Sequence, residues 1–383
     1  MQRFSRPANP GRLRVGLAAA VLVILVLVLA ACGEPDPPPP PPPPAPVAVV
    51  YGAAPGGAST PALDPRDAPD PFILRVDPQW CLSQSPTTTT STTTSTTTAV
   101  APAGSDCYLA YTTQVYLTIV PIWRTTDLVH WEMIDEMPVN GSAMHDLAPW
   151  VDWGGNWAPT VLARPDNPPG SRYVMWYTAR LRGTSIECLG VATSDTPVGP
   201  FIDTAAQPAS CRRSNGGTID PSAFVDDDGT PYLVYESDGV GHLWESQLTP
   251  DGRSLVGGSE HLLWSGGTAP DASVAEGPTI VRVGGTVFLL YSTGEWWTAG
   301  YHVDIVRCDA VTGPCHQMYG TPLLASRGSM LGPGGQTPFR DANGNWRLLF
   351  HAWTAPRVDY PSGGVRSLHL LPLTFSGGDV KVG

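Results

Sequence analysis

Residues 219–235 have the sequence IDPSAFVDDDGTPYLVY, and this stretch decides the fold. Pro221 opens a short apolar run, an Asp-Asp-Gly turn follows at 227–229, and a second, aromatic-led apolar run occupies 232–235. Proline fixes φ and cannot donate to a β-ladder, so Pro221 belongs at the start of a strand. An Asp-Gly pair between two apolar runs accepts positive φ and is a hairpin signal. The stretch therefore predicts a β-hairpin.

Both halves of this hairpin recur five times along the chain. The aromatic-led runs begin 56–65 residues apart, at Tyr108, Tyr173, Tyr232, Phe288 and Trp346. Each is preceded by a segment with a polar or small first residue and a nearby proline, and these strand heads are at Asp70, Ala158, Asp220, Gly277 and Gln336. Repeats of this length, each with room for four short strands, are typical of propellers. The sequence predicts an all-β, five-bladed β-propeller. A two-sheet sandwich is the alternative, but it gives no reason for a fivefold period.

Composition points the same way. The 383 residues include 41 Gly and 42 Pro, and only 15% are charged, whereas 13 Trp, 12 Tyr and 8 Phe supply aromatic side chains. Helix breakers spread through the chain exclude a mainly helical protein, and aromatic residues favour strands. A net charge of −12 argues against nucleic acid as a partner.

The N-terminus has the pattern of an export signal. Four arginines precede an apolar run at 15–31, which ends in Leu-Ala-Ala-Cys32-Gly. This order predicts a secretory signal, and the placement of Cys32 resembles the bacterial lipobox. Residues 1–31 are therefore predicted to be a lipoprotein signal peptide, and Cys32 the lipidated residue that anchors the chain to the outer face of the cytoplasmic membrane. An uncleaved membrane anchor is the alternative, and both place the remaining chain outside the cytoplasm.

The next segment, 32–59, is predicted to be a Pro-rich tether. Its eight consecutive prolines at 37–44 can form only polyproline II, a stiff spacer of roughly 25 Å. An SH3 or WW ligand is the alternative for such a segment, but those readers are intracellular. Residues 60–383 are then the propeller. Its first blade carries twelve consecutive Thr and Ser residues at 87–98, which predict an insertion at a hairpin tip and a candidate for O-glycosylation.

Six further cysteines fit an oxidising compartment: Cys81, Cys107, Cys188, Cys211, Cys308 and Cys315. Six cysteines allow 15 pairings. Local spacing favours 81 with 107, 188 with 211, and 308 with 315. The chain has no C-x-x-C and no H-E-x-x-H motif, so no metal site is predicted from the sequence.

Three of the five strand heads bear carboxylates, namely Asp70, Asp220 and Glu276, which directly precedes Gly277. The inner strands of a propeller line one channel, so these acids should converge at one end of its axis. Like charges held together raise one another's pKa, and glycoside hydrolysis uses one protonated and one ionised carboxyl group. Other Asp-Pro pairs, at 64–65 and 77–78, are ordinary turns or strand starts, whereas Asp70 directly precedes an apolar strand.

The ordered set of heads resembles glycoside hydrolase family 43. The residues that carry the resemblance are Asp70-Pro, Trp157-Ala-Pro, Ile219-Asp-Pro with Asp226-Asp-Asp-Gly, and Glu276-Gly-Pro. Segments 126–132 and 190–201 are also similar to the family's connecting segments. The resemblance implies that Asp70 is the general base, Glu276 the general acid, and Asp220 the residue that tunes and orients the acid. It further implies inversion at the anomeric carbon, with carboxyl groups roughly 6.5–9.5 Å apart.

The resemblance also has departures and further candidates. Many members have Gly-Pro-Gly-His in blade V, where the His reaches a metal or water cluster, but this chain has Gly-Pro-Gly-Gly-Gln at 332–336. A His-held calcium ion in the central channel therefore lacks its ligand, and no cofactor is expected. Gln336 could offer its amide to the substrate or make a structural hydrogen bond. Arg366 falls where the family often places an active-site arginine. Among Trp157, Trp296 and Trp297, which could stack on a sugar ring, Trp157 is favoured.

The sequence thus predicts a monomeric, exported, lipid-anchored, inverting hydrolase of polysaccharides or oligosaccharides that contain arabinose, xylose or galactose, with α-L-arabinofuranosyl units favoured. A catalytically silent carbohydrate-binding propeller on the cell surface is the alternative. A retaining propeller enzyme acting on fructans is a third possibility, but the chain lacks the expected Asn-Asp-Pro and Arg-Asp-Pro runs.

Overall fold

The computed structural model describes most of the predicted propeller. The described residues are 67–81, 106–115, 117–136, 139–152, 155–237, 241–266 and 274–383, together with short strands at 47–48 and 50–51. All belong to one unit, Pro44–Gly383. The predicted signal peptide, Cys32, the octaproline and the Thr/Ser tract lie outside the described residues and stay predictions. In the described part, no helix is long and apolar enough to span a membrane.

The strands form five sheets, one for each predicted repeat, which confirms the five-bladed β-propeller. In chain order they are β1 (Val47–Ala48), β2 (Val50–Tyr51), β3 (Phe72–Val76), β4 (Cys107–Tyr111), β5 (Ile122–Thr125), β6 (His130–Met133), β7 (Trp157–Ala163), β8 (Tyr173–Arg180), β9 (Glu187–Ser194), β10 (Thr218–Val225), β11 (Pro231–Ser237), β12 (His242–Gln247), β13 (His261–Ser265), β14 (Ala275–Val283), β15 (Thr286–Thr293), β16 (His302–Cys308), β17 (Cys315–Gln317), β18 (Met330–Arg340), β19 (Trp346–Thr354), β20 (Arg366–Ser376) and β21 (Asp379–Val382). Two short 3₁₀ helices cover Pro78–Cys81 and Arg213–Asn215.

Blade I contains β3–β6, blade II β7–β9, blade III β10–β13, blade IV β14–β17 and blade V β18–β21. The first strand of every blade pairs antiparallel with the aromatic-led strand that follows it, as the recurring hairpin pattern predicts. The short strands β1 and β2 lie within the predicted tether, yet β1 pairs with β20 of blade V and β2 pairs in parallel with β6 of blade I. They connect the last blade to the first.

The core lies between blades, because the second strand of each blade is buried on both faces. In β4, Leu109 and Tyr111 pack against blade II, whereas Tyr108 and Ala110 pack against blade V. Equivalent apolar clusters fill the interfaces between blades II and III, III and IV, and IV and V. Burial of each large apolar side chain contributes about 1.5–3 kcal/mol, so the ring of interfaces holds the strand heads in a fixed arrangement.

Blade II differs from the expected four strands, since the described residues contain three. The chain after β9 runs alongside its edge but makes only isolated bridges, between Thr193 and Ile202 and between Leu189 and Ser210. Prolines at 197, 200 and 208 interrupt this segment. They cannot donate to a ladder, which prevents a continuous outer strand.

The five strand heads share one backbone conformation. The residue at each head lies in the left-handed region, with φ values of 49° at Asp70, 44° at Ala158, 55° at Asp220, 56° at Gly277 and 58° at Gly335. In blade V this residue is Gly335, one position before the predicted Gln336, because glycine adopts positive φ at no steric cost. In blades II to V the pairing register shifts at this residue. A left-handed residue other than glycine costs about 1–2 kcal/mol, so other contacts must hold these turns.

Hydrogen bonds between neighbouring blades supply those contacts. In four blades the head N–H donates to a side chain on or just after the second strand of the preceding blade. The pairs are Ala158 to Thr113 (2.8 Å), Asp220 to Thr178 (2.9 Å), Gly335 to Ser292 (2.9 Å) and Asp70 to His351 (3.0 Å). In blade IV, Gly277 donates instead to the Asp220 carboxylate. The heads are therefore tied to one another around the axis.

Three disulfides join Cys81 to Cys107, Cys188 to Cys211, and Cys308 to Cys315. These are the pairs that the local spacing favours, so that prediction is confirmed. Cys81–Cys107 closes the base of the segment that carries the Thr/Ser tract, and Cys308–Cys315 joins neighbouring strands β16 and β17.

Candidate active site

A cavity of about 700 Å³ opens at the end of the propeller axis where the heads converge. Five of the six residues predicted for the site line it, namely Asp70, Asp220, Glu276, Trp157 and Arg366. Further lining residues are Asp67, Thr113, Gln114, Val115, Ile219, Trp296, Tyr301, Tyr360 and the 363–365 loop. This volume is typical of sites that bind small molecules. Residues more than 290 positions apart meet there because each blade contributes its inner edge.

Asp70 is held as an ionised carboxylate. Thr113 donates its hydroxyl to Oδ2 at 2.7 Å, and a guanidinium nitrogen of Arg366 lies 3.7 Å from Oδ1. Burial acts to raise the pKa of Asp70, but the Arg366 charge and the Thr113 hydrogen bond outweigh it, and the pKa lies below its ordinary value. Thr113 also accepts the Ala158 N–H, which fixes its hydroxyl toward Asp70.

Glu276 has the opposite electrostatic character. Its side chain is half-buried, and Tyr301 donates its hydroxyl to Oε1 at 2.5 Å. Burial raises the pKa of Glu276 to about 7; the Tyr301 hydrogen bond and the Arg366 charge oppose this rise, and the Asp70 charge adds to it. Glu276 thus carries a proton under conditions where Asp70 has none.

Asp220 lies beside this acid. Its Oδ2 accepts the N–H of Gly277 at 2.9 Å, so it holds the backbone directly after Glu276. Burial, then the neighbouring charges of Glu276, Asp70 and Glu236, raise the pKa of Asp220 well above its ordinary value. Two half-buried carboxyl groups that act on one another's charge resist ionising together. The Asp220–Glu276 pair therefore retains a proton at the acid end of the site.

Arg366 connects Asp70 to an aromatic wall. Its guanidinium donates twice to the Tyr360 hydroxyl, at 3.0 and 3.1 Å, and lies 4.8 Å from the Trp296 ring centre. Its backbone N–H donates to Asp67 at 2.8 Å. Trp296 also stacks on Trp353, with an interplanar angle of 19°. The planar guanidinium of Arg366 is thus held by stacking on Trp296 and by a pair of hydrogen bonds to Tyr360, which a lysine cannot reproduce.

Two of the three tryptophans that could stack on a sugar ring line the cavity, and the third lies at the surface. Trp157 lines the cavity from the head of blade II, and Trp296 lines it from the loop after β15. Trp297 packs edge-on against Trp296 and is 46% exposed. Trp157 and Trp296 therefore have the position that sugar stacking requires, on different sides of the site.

Gln336 occupies a different place. It faces a narrow channel below the cavity, lined by all five inner strands, and its side chain is 1% exposed. Its amide accepts from Ser292 at 2.8 Å and donates to the Gly277 carbonyl at 2.8 Å. The structure thus engages both ends of the amide in hydrogen bonds between blades IV and V.

The channel does not fit the His-held ion of the resembling proteins. Gln336 already uses its oxygen to accept from Ser292, and His351 uses its Nδ1 to accept the Asp70 N–H. Across the described ranges, no group of three or more His, Cys, Asp or Glu side chains is arranged to hold a metal ion.

Several site residues were not identified from the sequence. Thr113 and His351 contact Asp70, Tyr301 contacts Glu276, and Tyr360 contacts Arg366. Thr113 and His351 belong to or follow second strands, and Tyr301 and Tyr360 belong to loops. The fivefold alignment of the second strands offered one signal, because His351 stands where the other blades carry Thr or Ser.

Comparison with known proteins decides the family. The sequence model described as glycosyl hydrolases family 43 matches residues 86–379, most of the chain. The chain belongs to glycoside hydrolase family 43. Among curated relatives, it is 26% identical over 253 residues to an extracellular endo-α-(1→5)-L-arabinanase of Thermotoga petrophila, covering 56% of this chain and 50% of the relative. It is 27% identical over 294 residues to an arabinoxylan arabinofuranohydrolase of Bacillus subtilis, covering 68% and 53%.

The family 43 chain spans about half the length of the curated relatives it matches. Among solved structures, it is similar to an endo-1,4-β-xylanase of Bacteroides thetaiotaomicron, with a TM-score of 0.62 and 23% identity over 84% of this chain and 97% of that chain. At this identity the likeness supports the propeller fold. Family membership supports a glycoside hydrolase, and the residues of the cavity suggest how it would act.

Proposed function

We propose that the protein is an inverting glycoside hydrolase in which Asp70 is the general base and Glu276 the general acid. One observation carries the proposal: the two carboxyl groups share a cavity, and their surroundings shift their pKa values in opposite directions. A difference of this kind between the two pKa values identifies which carboxyl group is the acid and which is the base.

The reaction follows from these protonation states. Asp70 takes a proton from a water molecule, and the water oxygen forms a bond to the anomeric carbon from the face opposite the leaving group. Glu276 gives its proton to the glycosidic oxygen as the bond from that oxygen to the anomeric carbon breaks. The products are a sugar of inverted configuration and an alcohol. Solvent then removes the proton from Asp70 and returns one to Glu276.

Asp220 serves the acid in this proposal. It holds the backbone beside Glu276, and the two neighbouring carboxyl groups resist ionising together. Trp157 and Trp296 offer apolar faces to the sugar rings. We further propose α-L-arabinofuranosyl units as the favoured substrate, because two of the relatives are named for arabinan and arabinoxylan. The extracellular relative also supports export, and the Cys32 pattern supports a lipid anchor.

A substrate panel tests the activity. The purified protein is incubated with nitrophenyl α-L-arabinofuranoside, β-D-xyloside and β-D-galactofuranoside, and with arabinan and arabinoxylan. Release of product from the arabinofuranosyl substrates above an Asp70→Asn control is expected. Binding of these sugars without hydrolysis by the unaltered protein would instead favour a carbohydrate-binding propeller.

The pH profile of kcat/KM should be bell-shaped. Activity needs ionised Asp70, so it is lost as pH falls through a pKa below the ordinary aspartate value. It also needs protonated Glu276, so it is lost as pH rises through about 7. Tyr301→Phe removes a hydrogen bond that lowers the pKa of Glu276, and its alkaline limb should move to higher pH. Tyr319→Phe removes a hydroxyl that bonds the Val380 backbone outside the cavity, and it is the matched control. Equal shifts in both variants would contradict the assignment.

Replacement of Arg366 separates charge from shape. Arg366→Met removes the charge that lowers the pKa of Asp70, so the acid limb should move to higher pH. Arg366→Lys keeps the charge but loses the two hydrogen bonds to the Tyr360 hydroxyl and the stacking on Trp296. KM should therefore rise, while the acid limb of the pH profile stays near its position. Identical acid limbs in both variants would show that Arg366 does not set the pKa of Asp70.

A further inference from the structure

His351 is a buried histidine that the acid–base reaction does not require. It lies on β19 with a fully buried ring, 281 positions from Asp70 in sequence. Its Nδ1 accepts the Asp70 backbone N–H at 3.0 Å. A backbone N–H can only donate, so Nδ1 carries no proton and the neutral ring has its proton on Nε2. Burial lowers the pKa of His351 to about 3, which keeps the ring neutral at neutral pH.

The other blades show that this hydrogen bond alone does not need an imidazole. Hydroxyl groups of Thr113, Thr178 and Ser292 accept the head N–H of the next blade in the same way. Blade V alone among these four uses a histidine. The larger ring must therefore serve a second contact.

The face of the ring makes that contact. His351 stacks on Tyr301 with 6.2 Å between ring centres and an interplanar angle of 10°. Tyr301 in turn donates its hydroxyl to Glu276. One edge of the imidazole thus holds the backbone of Asp70, while its face packs on the Tyr301 ring, whose hydroxyl is hydrogen-bonded to Glu276. Nδ1 also lies 3.3 Å from Oδ1 of Asp70, so the imidazole borders the carboxylate as well as the backbone of Asp70.

Two glycines make room for this arrangement. A Cβ on Gly335 would lie 2.6 Å from His351 Nδ1 and 2.8 Å from Asp70 Oδ1. A Cβ on Gly334 would lie 2.0 Å from the Tyr301 ring. The Gly-Gly pair thus accounts for the departure from Gly-Pro-Gly-His, because a side chain at 335 would displace both His351 and Asp70.

We propose that His351 is a positioning residue that sets Asp70 and Glu276 relative to one another, through its Nδ1 on the Asp70 backbone and its ring face on Tyr301. The proposal rests on the proposed function, since it assigns His351 a part in the same reaction. The two contacts are separable by mutation. Asparagine retains an acceptor near the Nδ1 position without the ring, and phenylalanine retains the ring without the acceptor.

The test compares His351→Asn and His351→Phe with His369→Phe. His369 is a matched control, a half-buried histidine on the adjacent strand that stacks on Phe350. His351→Phe should release Asp70 from Thr113 and Arg366, lowering kcat by about 100-fold, the effect of a displacement of roughly 1 Å. Its acid limb should move to higher pH. His351→Asn should keep the acid limb and move the alkaline limb to higher pH, because Tyr301 loses its support. His369→Phe should move neither limb.

Melting temperatures and crystal structures of the variants complete the test. Asp70 should keep its left-handed φ in His351→Asn and lose it in His351→Phe. Loss of activity that only follows the melting temperature, with both limbs unmoved, would reduce His351 to a structural residue and overturn the proposal. If His351→Phe does not fold, the alkaline limb of His351→Asn decides. If the unaltered protein hydrolyses no substrate, the proposed function fails, and the φ of Asp70 in the two crystal structures still tests the positioning role.

Discussion

Asp70→Asn is expected to lower kcat by about 10²–10⁴-fold, the usual contribution of a general base. Asparagine has nearly the same shape, so Thr113 can still donate to its amide oxygen, but it cannot accept a proton from water. Substrate binding should persist, because the walls formed by Trp157 and Trp296 are unchanged. Initial rates and calorimetric titration with an arabino-oligosaccharide measure the two quantities on the same preparation.

Asp77→Asn is the matched control for this variant. Asp77 also precedes a proline, but it is an exposed residue whose carboxylate accepts the Gln79 N–H in a local turn. Its replacement should leave kcat unchanged. Hydrolysis at the unaltered rate by Asp70→Asn, with intact binding, would remove Asp70 from the reaction.

Glu276→Gln should have an effect that depends on the leaving group. Glutamine cannot protonate the glycosidic oxygen, so kcat/KM on an arabino-oligosaccharide should fall by about 10²–10⁴-fold. A nitrophenolate leaves without protonation, so the loss on the nitrophenyl glycoside should be much smaller. The alkaline limb near pH 7 should also disappear, since it reports the ionisation of Glu276.

Glu295→Gln provides the control for the acid. Glu295 is exposed on the loop after β15 and is not among the residues that line the cavity. Both substrates and both pH limbs should be unaffected in this variant. Equal losses on oligosaccharide and nitrophenyl substrates in Glu276→Gln would show that Glu276 does not protonate the leaving group.

The strand heads could be predicted because their chemistry is local. A proline at the start of an apolar run and a turn after it identify an inner strand from about fifteen residues. The fivefold period then places the heads of different blades together, which is how Asp70, Asp220 and Glu276 could be assigned to one site before any coordinates. Arg366 and Trp157 also line that site.

The supporting residues could not be predicted in this way, because their roles arise from contacts between blades. His351 reaches Asp70 only when blade V closes against blade I. Tyr301 belongs to a loop, and its importance depends on the direction of one hydroxyl group. Gln336 lies directly after the blade V head at Gly335, one position from where the sequence pattern places the head, and the partners of its amide, Ser292 and Gly277, depend on packing.

The left-handed backbone conformation of the strand heads could not be predicted from the sequence. Glycine adopts this conformation freely in blades IV and V, but blades I and III place aspartate there. The strained conformation is kept by hydrogen bonds from the preceding blade, so the ring of blades and the geometry of the acids depend on each other.

The configuration of the first product distinguishes direct attack by water from a covalent glycosyl intermediate. Hydrolysis of an α-L-arabinofuranoside, followed by proton NMR before mutarotation, distinguishes inversion from retention. If Asp70 activates water and Glu276 protonates the leaving group, β-L-arabinofuranose appears first and the α anomer grows in later. First appearance of the α anomer would mean a covalent intermediate and would contradict the role of Asp70 as a general base.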